Sequence, residues 1–361
     1  MTASFGTTFE LRKPDGAFRL IEEWLREQGF FGEAGEELVA DLFLGYGLSQ
    51  TIRRGQSPPP PEPCPLPLAA CSVRAGSYEV RQYIDANRTI GSWERTWSPE
   101  EYGLAVERVR AAIARGDVYQ VNLVQHLSAP FTGDPTSLAA ALAPLRPLQG
   151  RPFVGEGWAV ASASPELFLA RRGRRVWTMP IKGTRPAGEA AELRESEKDA
   201  AEHVMIVDLE RNDLSRVCVP GTVRWPDLMV TRRLAGVEHM VSTVEGTVRE
   251  GVTFSEILEA TFPGGSVTGA PKIAAVDLIA ELEPVGRGAS MGALGCVYGN
   301  GDLDLALTIR TFAVAEGRIH LWVGGGVVWD SEPAAEVAES WLKARPLLEA
   351  IGSSLPEMIS A

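Results

Sequence analysis

Apolar residues recur along this chain at two spacings, one typical of helices and the other of strands. From Ser98 to Gly116 they follow the helical period, after a Ser-Pro-Glu-Glu start that predicts a capping box and before a glycine that predicts the helix end. From Leu303 to Arg310 apolar and polar residues alternate, as in a strand with one buried face. The chain is therefore predicted to contain both kinds of element.

Two further helices are predicted at residues 18–31 and 192–214. The first is amphipathic, and the second carries Glu202 within its apolar stripe beside Ile206 and Leu209. A buried carboxylate without a partner is strongly destabilising. Glu202 is therefore expected to bind a metal ion or an arginine from elsewhere in the chain.

The last predicted helix carries Glu336, Glu339 and Lys343 at helical spacing. Such a row of charges is most often a solvated face. Pro346 lies inside the same pattern, and it is expected to kink the helix or to end it.

Three predicted strands lead to a lysine. The first two, 158–162 and 167–171, are separated by a break that ends in Glu166, and the third, 175–179, leads to Lys182. Glu166 is either a turn carboxylate or a positioned acid, and Lys182 is either a solvated turn lysine or a nucleophile. A lysine becomes nucleophilic only where desolvation or a nearby cation lowers its pKa, which is otherwise about 10.4.

Two glycine-rich segments are candidates for binding a ligand. Segment 262–272 runs from a loop into a predicted helix, which leaves backbone N–H groups free to hold an anion. It lacks the lysine of a Walker A loop after Gly269, so a carboxylate is favoured over a nucleoside phosphate. Gly324, Gly325 and Gly326 interrupt a strand pattern, which predicts close approach of a ligand to the backbone.

Composition and charge narrow the possible partners. The 361 residues carry a net charge of −12 without a basic cluster interleaved with aromatics, which argues against nucleic acid. An anionic ligand would need a locally positive site. No apolar run is long enough to cross a bilayer and the N-terminus lacks a signal-peptide pattern, so a cytoplasmic location is expected. The four scattered cysteines are expected to be reduced thiols.

The chain is predicted to have two parts. Residues 1–95 form a short N-terminal subdomain that contains a proline-rich surface loop at 57–67. Residues 96–355 form the main domain, which opens at the capping box. Gln120 and Asn122 share one face of a strand there, and their amides suit either solvent or a polar cavity.

Motifs between about Thr96 and Ile351 resemble, in the same order, those of the chorismate-utilising enzymes. This family includes anthranilate synthase component I, aminodeoxychorismate synthase component I, and the isochorismate and salicylate synthases. The motifs are at residues 116–122, 164–166, 180–184, 202–213, 239–242, 264–272, 309–310, 324–326 and 336–339. The resemblance implies an α+β fold, a sandwich of two large antiparallel β-sheets with helices on the outside.

The resemblance also implies a site for Mg²⁺ and chorismate. Glu202 and Glu339 would be metal ligands supported by Asp199 and Glu336, and four acids around one hard cation suit Mg²⁺. Glu166 corresponds to the general acid that protonates the departing 4-hydroxyl group. The other positions implied to contact chorismate are Thr184 and His239 beside the ring and Gln120, Ser266, Thr268, Gly269, Arg310, Gly324, Gly325 and Gly326 elsewhere.

Two positions distinguish branches of this family. Isochorismate and salicylate synthases carry a lysine base where this chain has Gln120, so the resemblance implies an ammonia-using member. Anthranilate synthases typically have alanine where this chain has Lys182, and lysine there is typical of aminodeoxychorismate synthases. In their mechanism the lysine adds to C2 as the hydroxyl leaves C4, and ammonia then attacks C4 and expels the lysine. Mg²⁺ and burial are expected to lower the pKa of Lys182.

Two alternatives are anthranilate synthase component I with an unusual lysine and a non-catalytic chorismate-binding subunit. Met291 stands where anthranilate synthases have a tyrosine, which weakens the first. The second is weakened because Glu166, Lys182, Glu202 and Glu339 are intact. No Leu-Leu-x-Ser motif of a tryptophan-binding subdomain is found, so tryptophan binding is not expected. The implied partner is a separate glutamine amidotransferase (glutaminase) subunit, and the implied pathway is p-aminobenzoate and folate synthesis.

Overall fold

The computed structural model of the protein describes residues 8–32, 37–76, 87–186, 188–234 and 237–354, without the side chains of Thr184, Pro186, Lys198, Leu234 and Val237. The helices are α1 (Ala17–Glu27), α2 (Pro99–Ala114), α3 (Ser137–Leu142), α4 (Ala190–Glu195), α5 (Glu197–Ser215), α6 (Phe254–Thr261), α7 (Lys272–Leu282) and α8 (Pro333–Ala350). The strands are β1 (Thr8–Leu11), β2 (Leu38–Leu44), β3 (Ala69–Ala75), β4 (Arg88–Ile90), β5 (Glu94–Arg95), β6 (Gln120–Gly133), β7 (Phe153–Gly155), β8 (Trp158–Ser162), β9 (Leu167–Arg172), β10 (Arg175–Met179), β11 (Ile181–Pro186), β12 (Arg224–Leu234), β13 (Val237–Thr247), β14 (Gly269–Ala270), β15 (Ala293–Tyr298), β16 (Leu303–Leu307), β17 (Thr311–Ala315) and β18 (Arg318–Val327).

Two antiparallel sheets organise the described part of the chain. The first has the order β1-β3-β2-β15-β16-β9-β10-β13-β11, and β12 also pairs with β13. The second has the order β14-β6-β18-β17-β8-β7, and β4 and β5 also pair with β6. The expected α+β fold with two large antiparallel sheets is therefore confirmed.

Aromatic side chains join the two sheets. The ring of Phe43 on β2 lies 5.6 Å from that of Trp158 on β8, measured between centroids, and it also contacts Phe153 on β7. All three side chains are buried. Large aromatic residues supply much of the apolar area that a core buries. A second apolar cluster, which includes Leu321 and Trp341, forms where α8 covers the second sheet.

The N-terminal strands belong to the first sheet. β2 pairs with β15 from Val39 opposite Tyr298 to Leu44 opposite Ala293. The sheet is therefore continuous across residue 95, where the sequence predicts a boundary between two parts. The proline-rich segment is fastened to the main part, because the backbone N–H of Gly286 donates to the carbonyl of Pro61 at 2.8 Å.

The capping box at Ser98 is confirmed, since Ser98 and Glu101 exchange hydrogen bonds of 3.2 and 2.7 Å. The single helix predicted over 192–214 is wrong, because α4 ends at Glu195 and Ser196 caps α5 by accepting a hydrogen bond from the Asp199 N–H.

Pro346 does not end the last helix, because α8 continues to Ala350. Leu347 and Leu348 are buried after the proline. Their burial offsets the backbone hydrogen bond that a proline cannot donate. None of the helices in the described ranges is both long and apolar enough to span a membrane.

Candidate active site

Lys182 lies inside the protein and forms an ion pair. Its Nζ donates to Glu202 Oε1 at 2.8 Å and faces the carbonyl of Ser266 at 3.4 Å, and its side chain is only 11% exposed. β11 reaches this position through a register shift between Lys182 and Thr184, where Gly183 adopts a φ of 62°. A solvated turn lysine is therefore the wrong interpretation, and Lys182 belongs to a buried polar cluster.

The protonation state of Lys182 differs from the expectation. Burial alone lowers its pKa, but the carboxylate of Glu202, with Glu166 and Glu210 beyond it, more than compensates, and the pKa is raised. The pKa of Glu202 is lowered, because the attraction of Lys182 outweighs the cost of burial. Within the protein the pair is therefore an ammonium and a carboxylate.

Gln120 completes the surroundings of Glu202. It is buried on β6, and its Nε2 donates to Glu202 Oε1 at 2.7 Å. Its Oε1 is buried without a hydrogen-bond partner among the described residues. A buried amide oxygen of this kind is an acceptor for a ligand group. Of the two environments that the sequence left open, the polar interior is correct.

Glu166 is a buried carboxyl group on the connection between β8 and β9. It is 4% exposed, and its Oε1 accepts the N–H of Ile181 at 3.3 Å. Burial raises its pKa, and the opposing effects of Ser266, Lys182 and Arg310 do not cancel this rise. The group therefore holds its proton more strongly than an exposed glutamate, as a general acid must.

Arg310 lies near this acid, and His239 lies near Arg310. Arg310 has a left-handed backbone with a φ of 51°, and burial lowers its pKa although Glu166 opposes the effect. His239 is 1% exposed, and burial together with the Arg310 charge lowers its pKa to about 4. The imidazole is therefore neutral at pH 7, while the guanidinium supplies the positive charge that an anionic ligand needs.

The glycine-rich loop packs against β6. Ser266 and Thr268 are buried, and the hydroxyl of Thr268 donates to the carbonyl of Gly264 at 2.9 Å. Gly269 has a φ of 145°, and a Cβ there would overlap the carbonyl of Gln120. This glycine is thus required by the close approach of two backbones.

The three glycines of β18 each leave space for a different neighbouring group. A Cβ at Gly324 would overlap the Leu123 carbonyl of the paired strand, so this glycine is explained by β6 and not by a ligand. A Cβ at Gly326 would overlap Gln120 Nε2 and lie 2.8 Å from Glu202 Oε1. Gly326 therefore leaves space for the cluster around Lys182.

Gly325 borders the carboxylates of α8. A Cβ there would lie 3.3 Å from Glu339 Oε1 and 3.5 Å from Glu336 Oε2. Glu339 also pairs with Lys343 at 2.7 Å, and Glu336 accepts a hydrogen bond from the hydroxyl of Ser331 at 2.7 Å. Two carboxylates of one helix thus face the same short stretch of backbone.

The structure does not assemble the four acids implied for Mg²⁺ into one shell. Asp199 forms an ion pair with Arg185 at 2.9 Å, and Glu202 is engaged by Lys182. In the described ranges no group of three His, Cys, Asp or Glu side chains is placed to hold a metal ion. Mg²⁺ commonly takes only one or two carboxylates and completes its shell with water and substrate oxygens. The site fits that mode and does not fit a four-carboxylate cage.

Sequence reasoning missed two members of the buried cluster, Glu210 and Thr178. Glu210 on α5 is 6% exposed, and its Oε2 lies 3.0 Å from the hydroxyl of Thr178 on β10. Glu210 follows Ile206 by four residues and so extends the apolar stripe, which is the signal that could have revealed it. The side chain of Thr184 lies outside what the structure describes, although its backbone is in register with His239.

Comparison with known proteins identifies the family of this chain. A family model described as chorismate binding enzyme matches residues 72–349. The chain therefore belongs to the chorismate-binding enzyme family, and the resemblance of its motifs is confirmed at that level.

Its relatives carry two different names. Anthranilate synthase component 1 of Thermus thermophilus is 44% identical over 268 residues, which are 72% of this chain and 58% of that protein. Aminodeoxychorismate synthase component 1 of Klebsiella aerogenes is 41% identical over 284 residues, which are 75% of this chain and 62% of that protein. The chain thus spans about three fifths of the length of these relatives.

Solved structures agree on the fold. The crystal structure of anthranilate synthase component I from Streptococcus pneumoniae is similar with a TM-score of 0.83 and 25% sequence identity, over 96% of this chain and 91% of that one. This similarity covers both sheets and supports the α+β assignment.

Proposed function

We propose that this chain is the chorismate-aminating component of an aminodeoxychorismate synthase. It would convert chorismate and ammonia to 4-amino-4-deoxychorismate through a covalent bond to Lys182. The observation that carries this proposal is a buried lysine 2.8 Å from Glu202 and within electrostatic reach of Glu166, a buried acid whose pKa is raised. A buried primary amine next to a general acid suits a displacement in which the leaving group must be protonated.

The first step forms a bond between the nitrogen of Lys182 and C2 of the ring. Both ring double bonds shift, from C1=C2 to C1=C6 and from C5=C6 to C4=C5, while the C4–O bond breaks and Glu166 gives its proton to the oxygen, which leaves as water. The lysine nitrogen loses one proton as it bonds to carbon. Because Lys182 is an ammonium in its ion pair with Glu202, one proton must pass to the Glu202 carboxylate before the amine attacks, and Glu166, ionised once it has protonated the oxygen, takes the proton that the nitrogen loses afterwards.

The second step reverses the first with a new nucleophile. Ammonia bonds to C4, the two ring double bonds shift back to their original positions, and the bond between C2 and the Lys182 nitrogen breaks. The new C4 ammonium gives up one proton, and the lysine amine regains one. Atoms and charges balance, because chorismate and ammonia have become 4-amino-4-deoxychorismate and water.

The remaining residues would bind and orient the substrate. Arg310 offers a guanidinium to a carboxylate, and the buried Oε1 of Gln120 offers an acceptor to ammonia or to a hydroxyl. The loop containing Ser266, Thr268 and Gly269 would close one side of the ring. His239 would contact the ring as a neutral group, because its pKa is lowered to about 4.

Mg²⁺ is part of the proposal. Glu202 and Glu339 would hold it together with water and substrate oxygens, and Asp199 and Glu336 would support them. When bound, the ion would supply positive charge at a substrate carboxylate. We expect Glu202→Gln to lose the dependence of turnover on Mg²⁺, with Asp213→Asn on the same helix as a matched control. An unchanged Mg²⁺ titration in Glu202→Gln would remove that residue from the metal site.

A glutamine amidotransferase subunit is the proposed partner. The relatives named above are each called component 1, which describes one part of a larger enzyme. The partner would supply ammonia, and free ammonium would replace it in a test tube. A cytoplasmic location and a place in p-aminobenzoate synthesis belong to the same proposal.

Anthranilate synthase component 1 is the second candidate, because the Thermus thermophilus relative carries that name. Product analysis separates the two. The protein is incubated with chorismate, Mg²⁺ and ammonium, and the products are separated by chromatography before and after adding a lyase that releases p-aminobenzoate. Anthranilate formed without the lyase would overturn the main proposal, and a product that yields p-aminobenzoate only after the lyase would support it.

A further inference from the structure

One buried carboxyl group next to the candidate site has no part in the reaction just described. Glu210 lines a small crevice between α5 and the first sheet. A Cβ built on Gly265 would lie 3.5 Å from its Cγ. Glu210 thus lies under the glycine-rich loop and behind Glu166.

The hydroxyl of Thr178 connects Glu210 to the backbone of the site. Thr178 Oγ1 lies 3.0 Å from Glu210 Oε2 and 3.4 Å from the carbonyl oxygen of Leu167. A hydroxyl donates one proton and accepts others. If Glu210 were ionised, one hydroxyl proton would face two acceptors. If Glu210 is protonated, it donates to Thr178 and Thr178 donates to Leu167, which satisfies all three groups.

The charged groups around Glu210 do not favour its ionised form. Glu166 faces it from the β8–β9 connection, Asp213 lies one turn further along α5, and Lys272 of α7 is engaged by Asp213 at 2.5 Å. Lys182 is the other nearby cation, and it is paired with Glu202. Burial, followed by the charge of Glu166, raises the pKa of Glu210 well above its ordinary value.

Thr178 also lies at an irregularity in the sheet. The pairing of β9 and β10 shifts register between Trp177 and Met179, which leaves Thr178 without a partner on β9, although it pairs with Val244 of β13. Bulges next to functional sites redirect the chain and its side chains. Ile181 lies two residues after Met179, where the regular pairing with β9 resumes. Its N–H donates to Glu166, and Lys182 is the next residue.

We propose that Glu210 is a positioning residue, an uncharged carboxylic acid that donates through Thr178 to the backbone of Leu167 and so fixes Glu166 and Lys182 relative to each other. The inference rests on the proposed function, because it assigns Glu210 to the geometry of the two groups that react there. Glu210 itself does not touch the substrate.

Infrared difference spectroscopy tests the protonation state without any turnover. The spectrum of the wild type at pH 7 is compared with that of Glu210→Gln. We expect the variant to lose the carbonyl stretch of a buried protonated carboxylic acid. Loss of a carboxylate band instead would overturn the proposal, even if chorismate turnover proceeds as proposed above. Conversely, a protein that does not consume chorismate would refute the proposed function and leave this spectroscopic result to stand on its own.

Kinetics test the connection to the site through the rate of chorismate consumption with ammonium. Glu210→Leu and Thr178→Val remove the hydrogen-bond chain, and each should lower kcat about tenfold with a smaller change in KM. The double variant should be no worse than either single one, because both interrupt the same chain. Thr178→Val carries the test if Glu210→Leu does not fold.

Rescue by conservative variants distinguishes positioning from a purely structural role. Glu210→Gln keeps a neutral donor and Thr178→Ser keeps the hydroxyl, so both should recover most of the rate lost in the apolar variants. At alkaline pH the wild type should lose activity as Glu210 ionises, whereas Glu210→Gln should lack that part of the decline. A glutamine variant as impaired as Glu210→Leu, or an unimpaired Glu210→Leu, would overturn the proposal.

Discussion

Two carboxylates of α5 each pair with a buried lysine from another element, and the two pairs have different surroundings. Lys182 lies 2.8 Å from Glu202, Lys272 lies 2.5 Å from Asp213, and both lysine side chains are 11% exposed. Glu202 is also bound by Gln120, whose second amide atom has no partner among the described residues. Burial of a lysine is therefore not by itself evidence that it is a nucleophile. What distinguishes Lys182 is a neighbouring polar atom that has no hydrogen-bond partner.

The pair around Lys272 is closed by the protein. Its Nζ also donates to the carbonyl of Thr261 at 3.1 Å. Burial raises the pKa of Asp213 despite the attraction of Lys272, whereas the pKa of Glu202 is lowered. The first pair thus has polar capacity left for a ligand, and the second is a structural connection between α5 and α7.

The largest expected difference between the pairs is in activity. We expect Lys182→Met to reduce the formation of 4-amino-4-deoxychorismate by at least about a thousandfold, because the proposed nucleophile is removed. Lys272→Met should change kcat only a few-fold in the folded protein. Product chromatography with ammonium as nitrogen source measures both, and equal losses in the two variants would remove the distinction.

Stability tests whether the Lys272–Asp213 pair is a structural connection. Lys272→Met leaves Asp213 buried without its cation, which is expected to lower the free energy of unfolding by about 3–5 kcal/mol. Arg211→Met, which removes an exposed ion pair with Asp208 on the same helix, should cost less than about 1 kcal/mol. Urea unfolding followed by circular dichroism measures both values. A loss at position 272 no larger than that at 211 would contradict a buried structural pair.

A smaller effect should follow from filling the space beside Glu202. Gly326→Ala places a methyl group against the Gln120 amide, which can move because it ends a flexible side chain. We expect about a tenfold loss of kcat with less than about 2 kcal/mol of destabilisation. Gly324→Ala is the matched contrast, since its methyl group would meet the backbone of Leu123 and disrupt the sheet. If Gly326→Ala is as unstable as Gly324→Ala, the cluster is not the reason for that glycine.

Much of the fold could be predicted from local patterns. The capping box at Ser98 and the strand from Leu303 depend on neighbouring residues, and both are present, although the strand ends at Leu307 and not at Arg310 as predicted. The break at Ser196 was not predicted, and the sequence left open whether Pro346 ends α8, because competing local signals are decided by tertiary packing.

The sequence predicted which residues belong to the site better than it predicted how they are arranged. The motif resemblance pointed to Lys182, Glu166 and Glu202, which the structure brings together, but their charges depend on distances that a sequence does not contain. The raised pKa of Lys182 follows from a contact between β11 and α5. Glu210 was missed because a carboxyl group is recognisable as buried only when its neighbours in space are known.

The pairing of β2 with β15 has a consequence for any shortened form of this protein. A chain that began at residue 96 would present the whole length of β15 as a bare edge, with unpaired backbone groups and apolar side chains such as Leu294 and Val297 beside it. Exposed edges of this kind recruit strands from other molecules. Such a truncation should therefore produce insoluble aggregates, not a minimal enzyme.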